Sequence, residues 1–344
     1  MNAYRNPLTR VVALAQLALG ALLLTPSAEA ANYTLLNAAY DVARDVYKDL
    51  NPLFVADWQK AHPGDTVKVD QSHGGSSKQA RAVIDGLQAD IAAMNSPLDI
   101  DAIAKAGLTP ADWAQRLPHA SSPSWSTILF LVRKGNPKQI KDWNDLVRPD
   151  VKVVIPNPKT SGNARYSYLA AWEYARRQPG GNDATARAFV ARFLANVPVF
   201  DTGGRGATTT FVQRGIGDVL LTFENEVQLI ASEFAAEQGF QIVVPPLSVR
   251  TDNPIAVVDK IADRKKTRPV AEAYAKFHFS PAGQEVFAKY GLRPSDPAIL
   301  ARHRERFPAL ELFTVEDRFG GWEATHKTHF TDGGVFDQIM QAKN

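Results

Sequence analysis

VKVVIPNPKTSGNARY, residues 151–166, passes from strand to helix within one short stretch. Val151, Val153, Val154 and Ile155 form a β-branched apolar run, the pattern of a strand covered on both faces. Pro156 and Pro158 end it, a polar Thr160-Ser161-Gly162-Asn163 loop follows, and residues 164–176 show helical periodicity. Strand, tight loop and helix in that order make one unit of an α/β sheet. The order recurs twice: QSHGGSSK at 71–78 follows an apolar run at 67–70, and DTGGRGAT at 201–208 follows one at 197–200.

Backbone N–H groups in the first turn of a helix have no partner inside the helix, and the helix dipole makes that end positive. A small anion placed there gains donors and a favourable potential. Glycine lets the backbone come close, and serine at the cap position adds a hydroxyl. One such helix start has an ordinary capping role. Three, each at the C-terminal end of a strand where open α/β sheets bind ligands, point to an anion site. None has a nucleotide pattern: Gly74-Gly75-Ser76-Ser77-Lys78 lacks the upstream glycine of a phosphate-cradling loop, and Gly203-Gly204-Arg205-Gly206 is not a dinucleotide fingerprint.

Working outward, apolar β-branched runs at 34–37, 67–70, 91–94, 127–132, 151–155, 197–200, 219–222, 241–244 and 255–258 predict strands. Helical periodicity marks 44–59, 76–87, 164–176, 184–194, 209–213, 227–236, 270–279 and 282–289. This alternation predicts an α/β fold with mainly parallel sheets and helices on both faces. The 344 residues exceed one typical core, so two domains are expected. No linker or internal repeat separates them, which implies strands that cross between domains, at 126–132 and 255–258. The expected division is lobe I at 31–125 and 253–344, lobe II at 126–252, with a ligand cleft between them.

Residues 1–30 have the layout of an export signal: Arg5 and Arg10, an apolar run from Val11 to Leu24, and the small-x-small triplet Ala28-Glu29-Ala30, with cleavage expected after Ala30. That run is too short to span a bilayer, and no later one matches it, so the processed chain is expected not to be membrane-anchored. Cysteine is absent, which removes disulfides, thiolate metal sites, a cysteine nucleophile and lipid attachment at cysteine. Beyond Met1, methionine occurs only at Met94 and Met340, a composition that suits a protein made when sulfur is scarce. The net charge of +3 is near neutral, with basic residues scattered rather than striped, so no nucleic-acid footprint is expected. The basic cluster Arg302, His303, Arg304 and Arg306 reads as a solvated face.

The segments 156–166, GGRGATTTF at 203–211, Gly217-Asp218-Val219-Leu220 and Glu224-Asn225-Glu226 closely resemble the prokaryotic sulfate- and thiosulfate-binding proteins of ABC importers. So do SHGGS at 72–76, LVRKGNPK at 131–138 and DWNDL at 142–146, and the likeness runs in order through the chain after residue 30. The resemblance implies a two-lobed fold of the type II periplasmic-binding-protein class. It implies hinge closure over a dianion held by uncharged donors, followed by docking on a membrane permease, with no cofactor and a monomeric receptor in the periplasm. Carried over by position, Ser76 supplies a donor from the first lobe, Ser161, Gly162 and Asn163 supply donors from the second, the last two through backbone N–H, and Gly204 holds the place of another backbone donor.

One position departs from the sulfate-specific pattern, which has Trp-Glu-Asn-Glu where this chain has Phe223-Glu224-Asn225-Glu226. Phenylalanine lacks the indole donor. Thiosulfate carries a sulfur in place of one oxygen, a weaker acceptor, so Phe223 with Thr160-Ser161-Gly162-Asn163 and Thr202-Gly203-Gly204 resembles the thiosulfate branch. Sulfate stays open, with Phe223 as a core aromatic and another donor compensating. Asp41 and Asp99 sit at family positions near the cleft; a carboxylate touching a dianion is repulsive, so they are expected to orient loop donors. Arg165 and Arg205 are expected to balance charge behind them.

Two other classes remain open at this point. One is a binding protein for another oxyanion, phosphate or molybdate; the other is a secreted hydrolase of sulfate or phosphate esters. Against catalysis, no Gly-x-Ser-x-Gly elbow occurs, and His73 lies too close in sequence to Ser72 and Ser76 to align as their base. His326 and His329 have no acidic partner at metal-ligand spacing, so no metal site is expected.

Overall fold

The structure is a computed structural model that describes residues 30–342; the expected export signal falls almost wholly outside the described residues. Two sheets organise the chain. In the first, β1 (Asn32–Tyr40) and β2 (Thr66–Gly74) pair in parallel from Asn32↔Thr66 to Tyr40↔Gly74. The short β3 (Ile91–Ala93) lies parallel on the other side of β1.

The second sheet is built on β4 (Ser124–Val132) and contains β5 (Val153–Pro156), β6 (Phe200–Asp201), β7 (Val219–Phe223), β8 (Gln241–Val243) and β9 (Leu247–Asn253). The chain then returns to the first sheet as β10 (Ile255–Val257), antiparallel to β3. Two further strands, β11 (Arg293–Pro294) and β12 (Glu311–Phe313), pair with β4 and β9 respectively.

The helices that matter to the site start at strand ends. They are α1 (Arg44–Ala61), α2 (Ser76–Ile84), α3 (Pro97–Lys105), α4 (Gly162–Arg176) and, past the remote α5 (Asp183–Ala195) that follows α4 directly, α6 (Gly204–Val212) and α7 (Glu224–Glu233). After β10 come α8 (Asp259–Lys265), α9 (Arg268–Phe277) and α10 (Pro281–Lys289). Phe54 of α1 meets Tyr274 and Phe277 of α9 edge-on at 5.0 and 5.7 Å, which fixes these helices to the first lobe.

The expectation of mainly parallel sheets holds for β1, β2 and β3 and for β5 with its neighbours, but the second sheet is mixed. β4 is antiparallel to β7, β8, β9 and β11. The cause is the crossing itself: β4 carries the chain into the second lobe and β9 carries it back, so paired side by side from Ser124↔Asn253 they must run in opposite senses.

The C-terminal residues also differ from the expected division, which put 253–344 with lobe I. β12 extends the second sheet beside β9, and Phe336 lies edge-on to Tyr168 and Phe200 of that lobe at 6.4 and 6.3 Å. Covering an edge strand and burying aromatic area both draw this segment across. Glu323 then reaches back to Lys105 of α3 at 3.0 Å.

Among the elements that escaped the sequence pattern, β9, α3 and α8 show why. Arg250 and Asp252 interrupt the apolar alternation of β9; in the fold they pair at 2.9 Å and the guanidinium lies 4.7 Å over the Trp125 ring. Asp99 and Asp101 break the apolar face of α3, and α8 is short and charged.

Phe130 of β4 is fully buried, edge-on to Trp143 at 4.9 Å, and the Trp143 indole donates to the Leu247 carbonyl oxygen at 2.7 Å. Phe130→Ala should lower the unfolding free energy by about 3–5 kcal/mol in a denaturant titration, because the surrounding strands cannot close the cavity.

Candidate functional site

Five helix starts meet between the lobes: α2 and α3 from the first, α4, α6 and α7 from the second. The residues before them are Gly75, Ser96, Ser161, Gly203 and Phe223, and none caps its own helix through its side chain. Some helices elsewhere are capped by a side chain, since Asn182 accepts from Ala184 and Thr185, Ser280 from Gly283 and Asp296 from Ala298 and Ile299, while α1, α8 and α9 are not. The site helices therefore keep first-turn N–H groups that their own caps do not satisfy. Ser161 and Ser96 are buried serines at cap positions whose hydroxyls leave their helices uncapped.

Backbone meets backbone across the cleft. A Cβ on Gly75 would lie 2.4 Å from the Thr202 carbonyl oxygen and 2.6 Å from that of Thr160, both in the opposite lobe. A Cβ on Gly162 would lie 2.0 Å from Asn95 Oδ1. Gly203 and Gly204 fit as closely against Asp41 and Val42. These positions are glycine because no side chain fits in the closed arrangement.

Charged groups stand behind the helix starts. Arg165 Nη2 donates to both Asp99 oxygens at 2.8 and 2.9 Å, and both side chains are buried. Ser76 Oγ donates to Asp99 Oδ2 at 2.5 Å and accepts from the Asn95 N–H at 3.2 Å. The hydroxyl proton of Ser76 is thus committed to Asp99, and what Ser76 offers at the start of α2 is its backbone N–H. Asp41 Oδ2 accepts from the Arg205 N–H at 3.0 Å across the lobes. The Arg205 guanidinium meets Asp45 at 2.6 Å and Glu226 at 3.3 Å, and Thr208 Oγ1 donates to Glu226 at 2.8 Å. Burial raises the carboxyl of Asp41. Burial also pushes Glu226 up to about 7, while Arg205 and the Thr208 hydrogen bond pull it down.

Phe223 closes β7 and precedes α7, buried edge-on between Tyr40 of the first lobe at 6.3 Å and Tyr166 of the second at 6.4 Å. It joins the aromatic contact between the lobes. His73, weighed as a base, does not bond to Ser76; its Nδ1 is buried with no partner among the described residues, and burial lowers its pKa to about 4. His329 packs in the core with Nδ1 3.0 Å from the Tyr168 hydroxyl.

The sequence missed several residues that the fold brings here. Asn95 and Ser96 follow a three-residue strand and resemble an ordinary turn; the Ser96-Pro97 pair, a helix-start signature, was the signal available. Buried atoms of Ser77, Asn95, Ser96 and Asn163 have no partner among the described residues, and a ligand or water commonly completes such groups. Lys159 is a further case. Its ammonium donates to the Phe330 and Thr331 carbonyls, each at 3.1 Å, and to Asp337 at 2.8 Å, which ties the 157–161 loop to the C-terminal segment.

Two lobes joined by crossing strands, with uncapped helix starts facing one another, are the arrangement of a two-lobed solute receptor. The sequence matches the bacterial extracellular solute-binding proteins over residues 35–293, and the chain belongs to that family. Within it, the chain is 55% identical over 306 residues to a thiosulfate-binding protein of Pseudomonas aeruginosa, covering 89% of this chain and 91% of that protein. It is 49% identical over 320 residues to a sulfate-binding protein of Escherichia coli, covering 93% and 97%. The structure of the sulfate-binding protein SubI from Mycobacterium tuberculosis superposes with a TM-score of 0.77 at 35% identity, covering 87% of this chain and 99% of that one.

Gly75→Ala should hold the lobes apart while leaving the first lobe intact. Amide hydrogen exchange should quicken around residues 158–165 and 200–207 and stay unchanged in α1; equal protection throughout would mean that the close approach is not needed. Glu226 gives a pH dependence. Its unfolded carboxyl titrates near 4.5 and its folded one near 7, so the folded chain holds the proton more tightly. The stability this contributes is complete below pH 4.5 and is lost as pH rises through about 7. Denaturant midpoints should fall across that window, and Glu226→Gln should flatten the fall.

Proposed function

We propose that this protein is an extracytoplasmic receptor that captures thiosulfate, sulfate or both and hands the anion to the permease of an ABC importer. The observation that carries the proposal is the set of five helix starts left uncapped by side chains and facing one another between two lobes. Fixed N–H donors and positive helix ends suit a dianion, since they neutralise it without a salt bridge that would bind too tightly to release. The thiosulfate- and sulfate-binding relatives support the sulfur oxyanion over phosphate or molybdate.

In this proposal Ser161 donates through its hydroxyl, and Gly162, Asn163, Gly204 and the start of α2 at Ser76 donate through backbone N–H. Phe223 supplies an apolar wall. Asp41, Asp99, Arg165 and Arg205 do not touch the anion; Asp99 with Arg165, and Asp41 with the Arg205 N–H, hold opposing helix starts together in the closed form. The hinge is the pair of crossing strands, where the chain passes Pro123-Ser124 and Asn253-Pro254. The receptor acts as a monomer, is exported by a signal cleaved after Ala30, works in the periplasm, and performs no chemistry. Ser76 bonding to Asp99 rather than His73 supports the non-enzymatic reading.

Calorimetric titration of the purified protein with thiosulfate, sulfate, phosphate and molybdate tests the assignment. One of the sulfur anions should bind most tightly; tighter binding of phosphate or molybdate would overturn it. Ser161→Ala should weaken binding by about 1–3 kcal/mol, the loss of a donor to a charged acceptor. Phe223→Trp, which adds an indole donor, should move the preference toward sulfate.

A further inference from the structure

We infer that the side-chain amide of Asn163, and not its backbone alone, is a specificity-determining donor to the bound anion, steered by the hydroxyl of Thr222. The inference rests on the oxyanion function proposed above and adds to it a group that neither the helix-start argument nor the comparisons assign.

Asn163 is the second residue of α4 and only 1% exposed. Its Nδ2 donates to Thr222 Oγ1 at 2.9 Å, while its Oδ1 is buried and accepts from nothing among the described residues. Thr222 is itself 1% exposed and immediately precedes Phe223 at the corner between β7 and α7. The amide therefore lies in the floor of the second lobe, between the start of α4 and the start of α7. Pointed this way, it turns an acceptor oxygen toward surroundings that offer no donor, beside a site built to receive an acceptor.

A half-turn about the side chain's last torsion resolves the mismatch. Threonine can donate or accept, so its hydroxyl can hold either end of the carboxamide at the same spacing. With the amide turned, Thr222 Oγ1–H donates to Oδ1, and both N–H groups of Nδ2 point where the unpartnered oxygen stood. Two buried N–H groups are then satisfied only if an acceptor is present, and a sulfur oxyanion supplies one. The orientation of the amide is thereby linked to the anion. Asn163 also offers the donor that Phe223 cannot, from a different direction, so the pair Asn163 and Phe223 would set which face of the anion is hydrogen-bonded and which is packed against an aromatic ring.

The test compares thiosulfate and sulfate titrations of the wild type with Asn163→Asp, Asn163→Gly and Thr222→Val, with thermal midpoints recorded for each. Asn163→Asp keeps the shape but replaces the N–H groups with a carboxylate oxygen, and should weaken both anions by at least about a hundredfold. Asn163→Gly keeps the backbone donor and should weaken them about tenfold. Thr222→Val should weaken binding less and change the thiosulfate-to-sulfate ratio. If Asn163→Asp does not fold, the NMR resonances of the Asn163 side-chain N–H₂ in the wild type, assigned by their absence from Asn163→Gly, decide the matter. They should move downfield at anion saturation. Folded Asn163→Asp binding within about threefold of wild type, or side-chain resonances that stay in place, would overturn the inference. A wild type that binds neither anion would instead overturn the proposed function, so the two failures are told apart.

Discussion

Side-chain-free backbone must come close against the opposite lobe, and most of the site's architecture follows from this constraint. At Gly75 the Thr160 and Thr202 carbonyl oxygens stand where a Cβ would be, and at Gly162 the Asn95 side-chain oxygen does. Such contact brings first-turn N–H groups of several helices to within reach of one small volume. A cap on any of these helices would satisfy its donors internally and defeat the arrangement. All five helix starts here lack a side-chain cap, whereas remote helices are mixed: α5 and α10 have one, and α8 and α9 do not.

Converging positive helix ends repel one another, and the buried carboxylates answer that cost. Asp99 accepts from Ser76 in its own lobe and from Arg165 in the other; Asp41 reaches the Arg205 N–H. A buried ion pair adds little net stability compared with apolar packing, because each charge must be stripped of water. Its value lies in geometry, since the Asp99–Arg165 pair joins the two lobes in one register. Arg205 performs a similar task on the other side, bridging Asp45 of the first lobe and Glu226 of the second.

Much of this was legible in the sequence because it rests on local pattern. The β-branched run before Pro156, the glycine pairs at 74–75 and 203–204, and the periodicity of residues 164–176 state where strands end and helices begin, and the structure places α4 at Gly162–Arg176. What was not legible depends on long-range pairing. β9 carries Arg250 and Asp252, which look like loop residues until Trp125 is beside them. Asn95 sits after only three strand residues and gains its meaning from Gly162 in the other lobe. Nor does any spacing reveal that Ser76 gives its proton to Asp99, since both residues sit at helix starts that meet only in the folded first lobe.

The tie between Lys159 and the C-terminal segment bears on how the chain matures. The acceptors that hold the Lys159 ammonium lie 171, 172 and 178 residues further along the chain. A polypeptide emerging from its N-terminus can form both sheets' early strands before those acceptors exist. The 157–161 loop acquires this anchor only after residues 330–337 have been made, so its final fastening comes late in folding, and a chain cut short of Asp337 would possess both sheets without a fully fastened loop.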